Sequence, residues 1–262
     1  MLTKIAIVGV SGRMGRTLVE AISMDNSATL AGAIDRQDSS MIGRDINNNH
    51  IAVVSSLLDV IDSIDVVIDF SSPLAAVGNA EICGRFGKNI VIGTTGLTSE
   101  QVQCIKSASK STAICMSSNF ATGVNLCFKL AEMAASALGD DVDIEISEAH
   151  HKHKLDAPSG TALTLGHVVA RTLDRDLDQV AVYRRQGDIG ERDSKAIGFS
   201  SVRAGDIVGD HTVMFSGDGE RVEITHKASS RMAFAKGAIR AAKWLSVQDS
   251  GLFDMQDVLG LK

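Results

Sequence analysis

The sequence has 262 residues, 44% of them hydrophobic and 22% charged, a balance that supports a packed core and excludes a disordered or collagen-like chain. Its 32 acidic residues outnumber 26 basic ones, and a net charge of −6 with a pI near 5.6 disfavours nucleic acid as a bulk electrostatic partner. No apolar run approaches the roughly 18 residues of a membrane span, and the N-terminus shows no basic region, long apolar stretch or cleavage site of a secretory leader, so a cytoplasmic protein without a membrane partner is expected.

The first half alternates short β-branched runs with amphipathic stretches. Strands are expected over residues 4–8, 29–34, 65–70, 89–92 and 113–116, with helices at 14–24, about 74–86 and near 99–109. Short strands alternating with helices signify βαβ units and a parallel sheet with helices on both faces. After about Ala121 the rhythm changes. A long helix is expected at 124–138, a strand at 142–149 and a helix at 161–173. Strand-like segments at 181–183, 196–202, 209–215 and 221–226 then follow one another with Gly/Asp turns, which points to a mixed or antiparallel sheet. A last helix at 234–245 has the character of the first half and is expected to pack back on its sheet. The fold class is therefore α/β: a doubly wound parallel sheet, residues 1–121 plus 231–262, interrupted by an α+β domain at 122–230. Cys83, Cys104, Cys115 and Cys127 form no CxxC pair and each lies in an apolar pattern, so reduced, buried thiols are expected.

The first strand runs into Gly9-Val10-Ser11-Gly12-Arg13-Met14-Gly15 and then a helix. Glycines there let the backbone turn tightly and approach a pyrophosphate lodged at the helix N-terminus, the signature of a Rossmann-type domain. The spacing departs from G-x-G-x-x-G, because Ser11 and Met14 occupy its second and third glycine positions. The context strengthens it. The second strand ends at Asp35, 20 residues beyond Gly15, where an acid can accept hydrogen bonds from ribose hydroxyls. Arg36 follows and can pair with a 2′-phosphate, so both NADH and NADPH remain open. The rival reading is a buried glycine turn with a solvated surface pair. Gly93-Thr94-Thr95-Gly96 and Ser117-Ser118-Asn119-Phe120 follow the fourth and fifth strands, where ligands of open α/β sheets lie, although ordinary loop chemistry also explains them.

The most informative stretch runs from Glu148 to Ala162. Three of the seven histidines fall at His150, His151 and His153, beside Lys152 and Lys154. In an acidic protein this concentration suits an anion. Ser159-Gly160-Thr161 then opens a helix and offers hydroxyls and N–H groups to a carboxylate. A lysine can neutralise a second carboxylate, and a histidine can donate a proton. A phosphate would suit such a loop equally, and a solvated charged loop is the plain alternative. Zinc fits poorly: adjacent histidines on a strand face opposite ways, no Cys or HExxH spacing accompanies them, and the lysines repel a cation, so no metal is expected.

Together with Arg203-Ala204-Gly205-Asp206 and His226-Lys227-Ala228-Ser229-Ser230-Arg231, these segments resemble the dihydrodipicolinate reductase family over essentially the whole chain. The resemblance implies a cofactor domain around a substrate-binding and oligomerisation domain, a homotetramer, and a small dicarboxylate substrate. It implies hydride transfer from NADH or NADPH to C4 of the six-membered ring of 4-hydroxy-tetrahydrodipicolinate, with loss of water, in lysine and diaminopimelate synthesis. It places His150 as acid/base and Lys154 as proton donor, and His151, Lys154, Ser159, Gly160 and Thr161 around the substrate carboxylate. Cofactor contacts would come from Gly9, Val10, Ser11, Gly12, Arg13, Met14, Asp35, Arg36, Gly93, Thr94, Thr95, Ser117, Ser118, Asn119 and Phe120. Two domains imply closure on the substrate. Two other classes compete on the residues alone. One is a dehydrogenase with a cysteine nucleophile; the other is a dinucleotide sensor, which would have no use for Lys154.

Overall fold

A computed structural model describes residues 2–46 and 51–262. The chain forms two compact units, Met1–Thr122 with Arg231–Lys262, and Gly123–Ser230. The first unit contains β1 (Thr3–Val8), α1 (Arg13–Ser23), β2 (Ala28–Ile34), β3 (Asp45–Ile46), β4 (Ile51–Val54), β5 (Val66–Asp69), α2 (Pro73–Phe86), β6 (Asn89–Ile92), α3 (Ser99–Ala108) and β7 (Ala113–Met116). The chain then enters the second unit through α4 (Thr122–Leu138) and forms β8 (Asp143–His150), α5 (Gly160–Thr172), α6 (Leu177–Val180), β9 (Ala181–Val182), β10 (Ile197–Arg203), β11 (Gly209–Gly217) and β12 (Glu220–Ala228). It returns to the first with α7 (Met232–Leu245), β13 (Gly251–Phe253) and α8 (Met255–Leu259).

The first sheet has the order β13-β7-β6-β5-β1-β2-β4-β3, and every pairing is parallel except that of β3 with β4. Successive side chains on a strand face opposite ways, and here both faces are buried. Ile5, Ile7, Val66, Ile68, Val91 and Cys115 join one core, with Leu18, Val19 and Ile22 of α1 and Ala235, Ala238, Ala241 and Ala242 of α7. Ala6, Val8, Val67, Ile90, Ile92 and Ile114 join the other, with Ala76, Ala80 and Cys83 of α2 and Ile105 of α3. Each fully buried isoleucine contributes about 1.5–3 kcal/mol of transfer free energy. The chain steps from β1 to β2 on one side and later to β5 on the other. The direction of winding therefore reverses at β1, and the carboxyl ends of β1 and β5 stand side by side at the point where such sheets take ligands.

The second sheet has the order β12-β11-β8-β10-β9 and is mixed: β10 runs parallel to β8 and β9, whereas β11 is antiparallel to β8 and β12. Helix α5 lies on β8, β10 and β11. Its Leu165 and Val169 are buried, as are Ile144, Ile146, Phe199, Val213 and Phe215 of the strands beneath it.

The long elements fall within a few residues of the sequence reading. Short β3, β4, α6, β13 and α8 are additions to it. A three-residue Gly-Leu-Phe segment carries no period of its own and becomes strand β13 only by pairing with β7. One expectation is corrected. Cys104 is exposed on α3, because its neighbour Ile105 takes the buried face, and Cys127 is half-buried; only Cys83 and Cys115 are fully buried. Burial pushes both of those thiols up to about 12.

Candidate active site

In the first unit, β1 passes directly into the glycine turn. Gly9 has φ +79°, where a side chain is strained, and a Cβ there would stand 2.9 Å from the Phe70 carbonyl oxygen. At Gly15 a Cβ would stand 2.2 Å from the Gly9 carbonyl oxygen, so only glycine lets α1 begin this close to the turn. Helix α1 starts at Gly12 with no capping side chain and no acid in its first turn. Its opening N–H groups and positive dipole end are thereby left to an anion. Arg13 is exposed and Met14 half-buried in that turn, while Val10 is buried.

Asp35 braces the turn. Its carboxylate accepts from Ser11 N at 3.1 Å, Arg36 N at 2.9 Å and Ser39 Oγ at 3.1 Å. Burial would raise its pKa, but the Ser11 hydroxyl together with these bonds outweighs burial and holds it below the usual carboxylate value, so it is charged at neutral pH. Beside it lies a cavity of about 570 Å³, lined among others by Gly9, Gly12, Asp35, Arg36, Ser56 and Ser72. Such a volume suits a small-molecule ligand. Arg36 projects into solvent and pairs with Asp38 at 3.1 Å.

At the carboxyl end of β5, Asp69 is fully buried. It accepts from Ser71 N at 2.9 Å, Ser71 Oγ at 2.6 Å, Asn79 Nδ2 at 2.8 Å and Thr94 Oγ1 at 3.0 Å. This carboxylate ties the loop after β5 to the loop after β6, where Gly93 N donates to the Asp69 carbonyl at 2.9 Å. Thr94 is thus a buried brace, while Thr95 beside it is exposed. The turn after β7 holds itself: Ser117 Oγ donates to the Asn119 carbonyl at 2.8 Å, and Asn119 Oδ1 accepts from Ala121 N at 2.9 Å. Phe120 is 1% exposed and meets Phe70 edge-on at 5.8 Å, so its ring belongs to the core rather than to a ligand surface.

In the second unit, β8 alternates so that Ile144, Ile146, Glu148 and His150 share the buried face. The sheet register places Arg203 of β10 opposite His150 and His211 of β11 opposite Glu148. Arg203 grips Glu148 with two bonds, Nη2 to Oε1 at 2.7 Å and Nη1 to Oε2 at 2.8 Å. Glu148 Oε2 lies 2.6 Å from His150 Nδ1, and Oε1 accepts from Ser159 N at 3.3 Å. Ser159 Oγ caps α5 by accepting from Ala162 N at 3.2 Å, and it bonds His211 Nε2 at 2.8 Å. The His150 and His211 rings meet edge-on at 5.0 Å. Lys154 Nζ reaches Asp156 Oδ1 at 2.9 Å. His151 Nδ1 is buried with no hydrogen-bond partner among the described residues.

The electrostatics follow from these contacts. Burial would raise Glu148, but Arg203, His150 and Ser201 bring its pKa down to about 2. Burial lowers His150 against the pull of Glu148, with Lys154 and Arg203 adding to the fall. Burial, then His150, takes His211 down to about 3. Both rings are neutral at pH 7 beside a fixed carboxylate. Among the described residues no group of three His, Cys, Asp or Glu is placed to hold a metal ion, and no helix is long and apolar enough to cross a membrane.

The structure therefore gathers His150, Ser159 and the start of α5 into one network, and Gly9, Ser11, Gly12, Asp35 and Arg36 around one cavity. Sequence reasoning assigned no role to Glu148, Arg203, His211 or Asp69. Period-2 spacing from His150 was the signal available for Glu148. Arg203 and His211 arrive only through strand register.

Two family models match the chain: "Dihydrodipicolinate reductase, N-terminus" over residues 3–120 and "Dihydrodipicolinate reductase, C-terminus" over residues 123–259. A protein of Saccharophagus degradans named 4-hydroxy-tetrahydrodipicolinate reductase is 51% identical over 268 aligned positions, covering 100% of both chains. A dipicolinate-bound dihydrodipicolinate reductase from Paenisporosarcina superposes with a TM-score of 0.80 at 26% identity, covering 98% of this chain and 99% of that one. A probable dehydrogenase from Thermotoga maritima shares the fold, with a TM-score of 0.65 at 12% identity over 98% of this chain and 93% of its own.

Proposed function

The chain belongs to the dihydrodipicolinate reductase family, and from that premise we propose how its residues carry out the reaction. It is an NAD(P)H-dependent oxidoreductase that reduces 4-hydroxy-tetrahydrodipicolinate to tetrahydrodipicolinate in lysine and diaminopimelate synthesis. The reaction consumes one hydride and one proton and releases one water. Bound NADH or NADPH supplies the hydride, which goes to C4 of the ring as the hydroxyl departs.

The first unit is the cofactor domain. The uncapped start of α1 would hold the pyrophosphate, Asp35 would take a ribose hydroxyl, and Arg36, which pairs with Asp38, would meet a 2′-phosphate when the cofactor carries one. The residues at 93–95 and 117–120 would shape the nicotinamide end, with Thr94 and Phe120 bracing the loops that carry them. The second unit is the substrate and oligomerisation domain of a cytoplasmic homotetramer. The backbone N–H groups of Gly160 and Thr161 take one substrate carboxylate, with Ser159 fixing the turn that presents them. Lys154 and His151 neutralise negative charge, and His150 with Lys154 moves the proton that accompanies reduction.

The observation that supports this reading best is that the histidine-lysine stretch and the start of α5 are joined through Glu148 and Ser159, which sets anion-binding N–H groups beside a proton-exchanging imidazole. The test is loss of reduced-nicotinamide absorbance with substrate made in situ from pyruvate and aspartate semialdehyde by the preceding synthase. Rapid enzyme-dependent oxidation is expected. Silence with both NADH and NADPH, in protein shown to bind cofactor, would sink the substrate assignment in favour of a sensor.

A further inference from the structure

Resting on the reductase reading above, we infer that Glu148 is the positioning residue for His150, and that the Glu148–Arg203 pair sets which imidazole nitrogen exchanges the proton. Glu148 is 3% exposed, yet its two oxygens receive donors from three elements: Arg203 twice and the Ser201 hydroxyl from β10, Ser159 N from the start of α5, and His150 Nδ1 on its own strand. A carboxylate held ionised by a guanidinium can only accept, so neutral His150 must carry its proton on Nδ1. Nε2 is then the atom left to give and take a proton. Oε1 meanwhile holds the N–H of Ser159, so the same carboxylate fixes both the ring and the beginning of the helix that receives the substrate carboxylate.

The other charged and titratable groups around the ring are consistent with this assignment. Arg203 on β10 and Lys154 in the following loop are cationic and disfavour imidazolium; His211 on β11 is neutral and meets the ring edge-on; Asp156 is paired with Lys154. Glu148 is the one anion in contact with His150 among the described residues.

Two variants move the ring in opposite directions. In Glu148→Gln the amide oxygen stays with Arg203 Nη2 and Ser159 N, because the reverse orientation would oppose both of those donors; the NH₂ group then faces His150 and Arg203 Nη1, so Nη1 must give up its bond and Nδ1 must accept. The histidine proton then passes to Nε2, the ring titrates at lower pH, and kcat falls by roughly 10²–10⁴-fold, the scale of a misplaced acid/base tautomer. In Arg203→Gln the carboxylate loses its guanidinium while keeping His150, so the tautomer is retained and the ring titrates at higher pH. The measurement is ¹⁵N NMR of histidine-labelled full-length protein across pH, with kcat–pH profiles and cofactor affinity alongside. Opposite shifts of the His150 titration, with cofactor affinity unchanged, are expected. A tautomer unmoved by Glu148→Gln, or a His150 titration that shifts the same way in both variants, would overturn the assignment; should Glu148→Gln not fold, an Arg203→Gln ring that loses its tautomer or titrates unshifted would do so. Wild-type protein without turnover would instead overturn the reductase reading, which these resonances do not test.

Discussion

Single side chains separate the two halves of the chemistry. Lys154→Ala and His150→Ala should each lower kcat by roughly 10²–10³-fold, the scale of a lost acid/base group, with the cofactor dissociation constant barely moved. Steady-state kinetics beside a cofactor titration check this, and an equal loss of cofactor binding would show that the cluster belongs to the cofactor. Arg36 offers the reverse experiment. Its guanidinium is exposed and already shared with Asp38, so its contribution to a 2′-phosphate is that of a screened pair. Arg36→Ala should weaken NADPH by about two- to fivefold, or ~0.5–1 kcal/mol, and leave NADH alone; equal losses for both would place the adenosine elsewhere. These residues were legible because each stands in a short run of chemically unusual neighbours. Glu148 was visible but unassigned, since an acid two positions before a histidine gains meaning only once the strand is known to bury that face.

At the scale of the element, the turn from β1 into α1 depends on backbone approach. Gly15→Ala would place a methyl within 2.2 Å of the Gly9 carbonyl. The helix start must shift, at a cost of about 1–3 kcal/mol, and cofactor affinity should fall with it. Gly78 in α2 is the control, because a Cβ there meets nothing within 4 Å. Gly78→Ala should raise stability by about 0.5–1 kcal/mol through helix propensity. Urea unfolding with a cofactor titration distinguishes the two; a Gly15→Ala protein that unfolds and binds like wild type would refute the packing argument. The helices that the sequence announced are the long ones, of ten residues or more: α2 with Pro73 after the capping Ser72 and α3 with Thr98 and Gln101 carry end signals as well, but α1 has no capping side chain, and the five-residue α8 stays unannounced despite its Asp254–Asp257 capping box. Strands β3, β4 and β13 have two to four residues and take their form from a neighbour.

Over the whole molecule, buried ionisable groups make stability depend on acid. His211 falls from 6.5 to about 3 on folding, so the unfolded chain takes up a proton that the folded one refuses, and stability drops as pH falls below about 6.5. Glu148, lowered from 4.5 to about 2, and Asp25, lowered from 3.8 to about 2, contribute stability that is present above those unfolded values and lost as pH falls toward 2. Urea midpoints against pH should therefore be level near neutrality, decline first from about pH 6.5 and decline further below about pH 4.5. His211→Gln should make the first decline shallower, His150 and His226 supplying the rest, and Glu148→Gln should do the same to the second, where Asp25 remains. A curve in which His211→Gln leaves the first decline unchanged would mean that this ring is solvated.

Composition, the alternation of periods and a few dense motifs were enough to determine an α/β chain with a second sheet, a glycine turn of the dinucleotide-binding type and a basic stretch dense in histidine and lysine. These are local properties: side-chain period, helix-end chemistry and clustered charge are written within a few residues of one another. Tertiary structure decided the rest. It made Thr94 and Phe120 braces, turned Cys104 to solvent, and brought Arg203 and His211 to Glu148 and His150 across strands 50 or more positions distant in sequence. Strand register and burial set those meetings, and both belong to the assembled sheet because the partner strand supplies the other half of every contact.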